Sequence, residues 1–228
     1  QKVENEFIGV NCGIMDQFSI AMGKKDHALV LNCQTLDYEY LPLQLDGKSL
    51  VIINTNKQRT LADSKYNERR ASCEAALEIL NENADFKDLC SVSPDYFEAH
   101  KNVLDDEKKM RVKHVVYEED RVEKSRNALK NHDLDTFGNF MKQSHESLMN
   151  DYEVTGKELD TVFLESKDFP GVHGVRMTGA GFGGCAVAIV DDAHLEDYKK
   201  HISERYTSII GYEPSIFTGR AGDGVREL

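Results

Sequence analysis

The pattern of apolar and polar positions changes along the chain from strand-like to helical and back again. Near the N-terminus, residues 13–22 (GIMDQFSIAM) predict a short helix that ends at Gly23. Residues 27–33, 37–45 and 49–55 then predict three strands. The second of these alternates polar and apolar side chains, and the third is continuously apolar, as is typical of a buried strand.

The middle of the chain has the spacing of amphipathic helices. Three apolar stripes follow this spacing: Cys73, Ala76, Leu77 and Leu80; Val112, Val115, Val116, Val122 and Leu129; and Leu134, Phe137, Met141 and Leu148. Ser93 before Pro94 predicts a capped helix start, and Thr155 with Glu158 predicts a capping box. We interpret the stripes as core packing and assign them no function.

The last third of the chain returns to strands. Residues 172–178 and 185–190 predict two strands on either side of a glycine-rich turn. An amphipathic helix follows from Leu195 to Ile209, and residues 215–219 predict a final strand.

The order of these elements predicts the domain organisation. From residue 49 onward the order is strand, helices, strand, strand, helix, strand, which is typical of a ferredoxin-like α+β fold. Residues 48–228 therefore form one domain, and residues 1–47 belong to another.

Composition narrows the classes of function. The 28 Lys and Arg residues against 40 Asp and Glu give a net charge of −12, which argues against nucleic acid as a partner because phosphate contacts need a basic surface. No apolar run approaches the ~18–20 residues of a membrane span. The five cysteines are widely spaced and lack CxxC pairs, which argues against a disulfide framework or a zinc site. We therefore expect the protein to work in a reducing cytoplasm.

The glycine-rich turn is the first candidate for chemistry. Gly179, Gly181 and Gly184 fit the dinucleotide pattern G-x-G-x-x-G, but that site needs a helix next, and a strand-like run follows here. A Walker A loop is excluded because no Gly-Lys-Ser/Thr follows. The turn permits close backbone approach to a phosphate or to another loop, and a tight turn without a ligand stays open.

Three single residues are not specific for a function when each is taken alone. Asp16, among apolar neighbours, is either an exposed helix residue or a buried base with a shifted pKa. Glu4 lies in a polar stretch and is typical of surface charge. Tyr66 follows a loop at a helix start, where a tyrosine usually packs with its hydroxyl in water.

Three segments taken together resemble one family. They are GVNCGIMDQ, NTNKQRTLADSKYNERR and MTGAGFGGC, and they resemble the galactokinases of the GHMP small-molecule kinase superfamily. The similarity continues to AGDGVREL at the end of the chain. The turn alone indicates only the superfamily, whereas GIMDQ and SKYNERR are specific. The resemblance implies ATP-dependent phosphorylation of D-galactose at its C1 hydroxyl, as a step of galactose metabolism.

The resemblance also implies roles for individual residues. Asp16 matches the catalytic carboxylate beside the C1 hydroxyl. Gly13 and Tyr66 match positions that contact the sugar, and Glu4 matches a carboxylate that holds Mg²⁺. The implied small molecules are D-galactose, ATP and Mg²⁺, and we expect a monomer.

The glycine-rich turn acquires a role in the same way. Gly179, Ala180 and Gly181 match a loop of the superfamily that lies near the phosphates and the substrate. Many relatives have glycine where this chain has Ala180. The difference is mild if the φ angle of Ala180 is negative and a strain if it is positive.

Other parts of the family pattern have no counterpart in this chain. They are the segment with a catalytic Arg, the Glu-His-x-Asp sugar-binding run and the Ser-rich loop around the nucleotide phosphates. The chain therefore resembles the C-terminal part of a galactokinase, with a remnant of the N-terminal α/β domain in residues 1–47. We expect these 228 residues by themselves to phosphorylate no sugar.

Two alternatives to a galactokinase remain. A non-enzymatic sensor of the same family would bind galactose and ATP without turnover, and the intact Asp16 and Tyr66 argue against it. Another superfamily kinase, acting on mevalonate, homoserine or a different sugar, is disfavoured by the GIMDQ and SKYNERR segments.

Overall fold

The computed structural model describes residues 1–8, 12–58 and 62–226. The helices are α1 (Met15–Met22), α2 (Ala62–Leu80), α3 (Pro94–His100), α4 (Asp106–Lys130), α5 (Leu134–Ser147), α6 (Lys157–Ser166) and α7 (Leu195–Ile210). The strands are β1 (His27–Leu31), β2 (Tyr38–Pro42), β3 (Lys48–Asn54), β4 (Val172–Thr178), β5 (Cys185–Asp191) and β6 (Ser215–Gly219). Parts of two motif segments, residues 9–11 and 59–61, lie outside the described residues.

A four-stranded antiparallel sheet forms the centre of the larger part of the chain. Its strand order is β4-β5-β3-β6, so the two middle strands are β3 and β5. The helices α6 and α7 cover one face of the sheet and bury Val51, Ile53 and Ala188 completely, whereas Ile52 points to the other face and is 38% exposed. The order and the antiparallel pairing confirm the predicted α+β fold of the ferredoxin-like kind.

A smaller hairpin of β1 and β2 lies before this sheet. Leu41 of β2 is buried against Leu129 at the end of α4. The Glu39 carboxylate of β2 accepts a hydrogen bond of 2.6 Å from Arg126 Nε. The C-terminal segment returns to the same region, where Gly224 N–H donates to the Gly23 carbonyl at 2.7 Å. The hairpin and the larger sheet share no strand.

A helical layer of α2, α3 and α4 forms a second core cluster. Ala76, Val112 and Val116 are buried there, as their spacing predicts, and Phe97 of α3 is buried beside them. Val122 is 38% exposed, so its place in the stripe was wrong. Val122 lies seven residues after Val115, and a repeat of seven residues drifts by about 20° per heptad around a straight helix, which turns it away from the buried face. In the described part of the chain, no helix is long and apolar enough to cross a membrane.

The two predicted helix caps have different outcomes. The Ser93 hydroxyl accepts a hydrogen bond from Tyr96 N–H, and Pro94 opens α3, which confirms that cap. The capping box before α6 is wrong, because the helix begins after Gly156 without a side-chain cap. Glu158 instead accepts a 2.8 Å hydrogen bond from Lys57 Nζ, since the segment after β3 brings that ammonium close.

Candidate functional site

A cavity of about 630 Å³, which we call the polar cavity, separates the start of α1 from α2. Gly13 forms part of one wall, and Tyr66 and Arg70 form part of the other. Tyr66 and Arg70 are one helical turn apart on α2, so both side chains face the same space. The structure thus places the two predicted sugar-contacting residues on opposite walls of one cavity.

The Glu4 carboxylate lies close to this cavity within a small hydrogen-bonded cluster. Glu4 Oε2 accepts hydrogen bonds from Cys12 Sγ at 2.8 Å and from Gln17 Nε2 at 2.6 Å. The hydrogen bond and the negative charge of Glu4 raise the pKa of the Cys12 thiol. The cluster ties the first residues of the chain to α1, and Cys12 also lines the polar cavity.

Asp16 occupies the first turn of α1 and is exposed. Of the two interpretations left open for it, a buried carboxylate is not what the structure shows, and a catalytic role for the exposed side chain stays a prediction. Ile14 and Met15, immediately before it, line the polar cavity, whereas Asp16 lines neither that cavity nor the one described next. A carboxylate in this turn interacts favourably with the positive end of the helix dipole.

A second cavity of about 390 Å³, which we call the apolar cavity, lies on the other side of the Tyr66–Arg70 wall. Gly179 and Ala180 of the glycine-rich turn border it. Deeper inside, it is lined by Cys73, Leu77, Leu89, Val115, Tyr152 and Met177. Tyr66 and Arg70 are therefore the common boundary between the start of α1 and the glycine-rich turn.

The glycine-rich turn has an unusual backbone. Gly179 has φ +78° and Gly181 has φ +82°, whereas Ala180 between them keeps a negative φ. Alanine is therefore unstrained at position 180, where many relatives have glycine. Phe182 has φ 56°, which a non-glycine residue rarely adopts, and such residues cluster at functional sites.

One contact of the turn is with another backbone segment. The Phe182 N–H donates to the Val154 carbonyl at 2.6 Å. A Cβ atom at Gly181 would lie only 2.1 Å from the same carbonyl oxygen. Gly181 is thus explained by packing, while exposed Gly179 has no atom within 4 Å of a Cβ position and faces the apolar cavity.

A buried histidine supports the strand that leads into the turn. The backbone N–H of Met177 donates to His145 Nδ1 at 2.9 Å, which places the ring proton on Nε2. The ring stacks on Phe163 at 4.2 Å between centroids. Burial lowers the pKa of His145 to about 3, so the ring is neutral at physiological pH.

Sequence reasoning missed several residues around the cavities. Arg70 could have been found, because it lies four residues after Tyr66 on a predicted helix. Tyr152 gave no comparable signal, since it belongs to a short π-helical segment, Leu148–Tyr152, that periodicity does not reveal. Its hydroxyl lies 3.6 Å from Cys73 Sγ, and burial raises the pKa values of both groups.

Chemically, the arrangement suits a polar ligand of small size. The polar cavity offers a tyrosine hydroxyl, a guanidinium and exposed backbone, which are groups that hydrogen-bond a polyhydroxylated molecule. Among the described residues, no three His, Cys, Asp or Glu side chains converge as a metal site. A metal would therefore need oxygen ligands beyond those that the described residues supply together.

Comparison with known proteins adds evidence of a different kind. The family described as GHMP kinases C terminal matches residues 125–207. A galactokinase of Clostridium perfringens (strain ATCC 13124) and one of Bacillus subtilis (strain 168) are each 49% identical to the chain over its full length. The chain spans 59% of the length of each of these relatives.

A solved structure matches the whole chain as well. It is the Lactococcus lactis galactokinase complexed with galactose, which is 41% identical to the chain and superposes with a TM-score of 0.95. The match covers 100% of this chain and 59% of that protein. The chain is therefore similar over its full length to galactokinases, and residues 125–207 match the C-terminal part of the GHMP kinases.

Proposed function

We propose that this chain is part of an enzyme that transfers the γ-phosphoryl group of ATP to the C1 hydroxyl of D-galactose. The observation that carries the proposal is the polar cavity between Gly13 and Tyr66. It lies in a chain that superposes with a TM-score of 0.95 on a galactokinase solved with galactose. Phosphoryl transfer needs mainly positioning and electrostatic stabilisation, which such a cavity can supply.

Each residue of the proposed site has a separate task. Asp16 accepts the proton of the C1 hydroxyl, or orients that hydroxyl, as its oxygen attacks phosphorus. Tyr66 hydrogen-bonds the sugar through its hydroxyl, and Gly13 lets the sugar approach the backbone closely because it has no side chain. The exposure of Asp16 leaves its carboxylate free to meet a substrate.

The proposed cofactor is Mg²⁺ with the nucleotide phosphates. Glu4 fits as one ligand, because Mg²⁺ is usually bound by one or two carboxylates together with phosphate oxygens. Both hydrogen bonds to this carboxylate end on Oε2, and its partners Cys12 and Gln17 hold it beside the polar cavity. The metal would neutralise charge on the phosphates, and Glu4 would hold it in place.

The proposal also includes the glycine-rich turn, the two domains and the oligomeric state. Gly179 and Ala180 border the apolar cavity on the far side of Tyr66, and in this proposal they lie, with Gly181, near the substrate. Residues 1–47 belong to the N-terminal domain and residues 48–228 form the C-terminal domain, which agrees with the separate sheets of the two regions. We propose a monomer that works in the cytoplasm.

The proposal is tested by ADP release from ATP with galactose, using the full-length product of the gene that encodes this chain. Asp16→Asn removes the proton acceptor and keeps the shape of the side chain. We expect kcat to fall by about 10²–10⁴, the usual contribution of a general base. The matched control is Asp46→Asn, which changes another exposed aspartate in the loop before β3 and should leave kcat unchanged.

The other outcomes assign the protein differently. Near-full activity of Asp16→Asn would reduce Asp16 to a surface residue. No turnover by the wild-type protein, together with saturable galactose binding, would identify a sensor instead of an enzyme. The absence of both turnover and galactose binding would contradict the proposal altogether.

A further inference from the structure

The segment 151–154, which we call the support turn, lies directly under the glycine-rich turn. Its last residue, Val154, accepts the Phe182 N–H at 2.6 Å through its carbonyl. The same carbonyl is the group that leaves no room for a side chain at Gly181. A movement of the support turn would therefore move the glycine-rich turn with it.

Two arginines from different helices hold the support turn. Arg111 of α4, with a side chain only 3% exposed, donates to the Asp151 carbonyl and to Glu153 Oε2, each at 2.5 Å. Arg69 of α2 donates to the Tyr152 carbonyl at 2.8 Å. Its Nη2 atom lies 3.6 Å from the same Glu153 Oε2.

Glu153 is the point at which these contacts meet. Its φ of 54° is left-handed, which a glutamate adopts only when the surroundings compensate for the strain. The hydrogen bond from Arg111 holds the pKa of the Glu153 carboxyl below its usual range, so the carboxylate is charged. One anion thus joins α4, the support turn and the helix that carries Tyr66.

We propose that Glu153, held by Arg69 and Arg111, is a positioning residue that sets the distance between Tyr66 and the glycine-rich turn. The role in catalysis rests on the proposed function, but the mechanical coupling does not. Arg69 lies three residues after Tyr66 on α2, and Val154 lies one residue after Glu153. The chain of contacts from Tyr66 to Phe182 is therefore short and continuous.

Hydrogen–deuterium exchange of this chain tests the coupling without any assay of activity. Glu153→Gln keeps the size of the side chain and removes its charge. We expect the amides of residues 178–184 to exchange about tenfold faster, because charge-assisted hydrogen bonds are about twice as strong as neutral ones. The matched control is Glu165→Gln, since Glu165 also pairs with two side chains of α7, Arg205 and His201.

The outcomes separate coupling from general loosening. Faster exchange confined to residues 178–184 and the support turn, and absent in Glu165→Gln, supports the proposal. Exchange at residues 178–184 within twofold of wild type overturns it. Equal acceleration throughout the molecule also overturns it, because the role of Glu153 would then be stability alone.

Kinetics of the full-length product test the catalytic part. We expect Glu153→Gln to lower kcat/KM for galactose about tenfold at an unchanged melting temperature, with Glu165→Gln at the wild-type value. Unchanged kcat/KM beside faster local exchange would refute the role in catalysis. A wild-type protein without turnover would instead refute the proposed function, and the exchange experiment would still decide the coupling.

Discussion

At the scale of single residues, the glycine-rich turn shows why a pattern of glycines has more than one cause. Gly181 is required by the Val154 carbonyl beneath it, whereas Gly179 borders the apolar cavity and touches nothing at its Cβ position. Ala180 between them has an ordinary backbone conformation. The same motif thus contains one position fixed by packing and one that faces open space.

This difference predicts unequal effects of the same substitution. Gly181→Ala should destabilise the chain by about 2–4 kcal/mol, because it combines positive φ with a clash against backbone. Gly179→Ala has the positive φ without the clash and should cost about 1 kcal/mol. Urea unfolding of both variants measures the difference. Equal losses would show that the Val154 contact is easily relaxed.

At the scale of secondary-structure elements, α5 covers the free edge of strand β4. Gly138 of α5 and Gly174 of β4 let the two backbones approach, since a Cβ on Gly138 would lie 2.2 Å from the His173 carbonyl oxygen. His145, also on α5, accepts the Met177 N–H that faces away from the sheet. The helix therefore protects an edge that would otherwise be open to other strands.

The close packing reverses a usual effect of helix propensity. In an exposed helix, glycine to alanine stabilises by about 1 kcal/mol. We expect Gly138→Ala to destabilise the chain by about 1–3 kcal/mol instead, because the added methyl group forces α5 away from β4. Asn139→Ala on the exposed side of the same helix is the control and should be slightly stabilising. Thermal unfolding compares them, and a stabilised Gly138→Ala would contradict the packing.

At the scale of the whole molecule, two buried histidines link stability to pH. Burial lowers the pKa of His114 to about 4 and that of His145 to about 3, against an ordinary value of 6.5. Below pH 6.5 these two histidines therefore bind protons in the unfolded chain but stay neutral in the folded chain. Stability falls as the pH is lowered, since proton binding favours the unfolded state.

The pH dependence gives a slope that can be measured. Between pH 6.5 and 5, each histidine should contribute up to about 1.4 kcal/mol of lost stability per pH unit. His145→Asn keeps an acceptor for the Met177 N–H and should reduce the slope by about half. His132→Asn changes an exposed histidine and serves as the control. An unchanged slope in His145→Asn would show that His145 does not control this pH dependence.

The order of elements could be predicted because it depends on local periodicity. Strands β3 and β5 and helices α5 and α7 follow their apolar patterns within one or two residues of the predicted ranges. The capping box at Thr155 and Glu158 could not be judged in the same way. Lys57, about a hundred residues earlier, donates a hydrogen bond to the Glu158 carboxylate in place of the predicted cap, and no local sequence pattern reveals this distant partner.

The features of the candidate site also fall into those that local sequence predicts and those that depend on tertiary contacts. The sequence alone determined the family resemblance, the α+β fold class and the residues Gly13, Asp16, Tyr66 and Gly179–Gly181 as candidates, because motifs and periodicity are local properties. Only the tertiary structure decided that Tyr66 separates two cavities and that Glu153 joins two helices. Those contacts join segments dozens of residues apart, and the packing of the whole chain sets their distances.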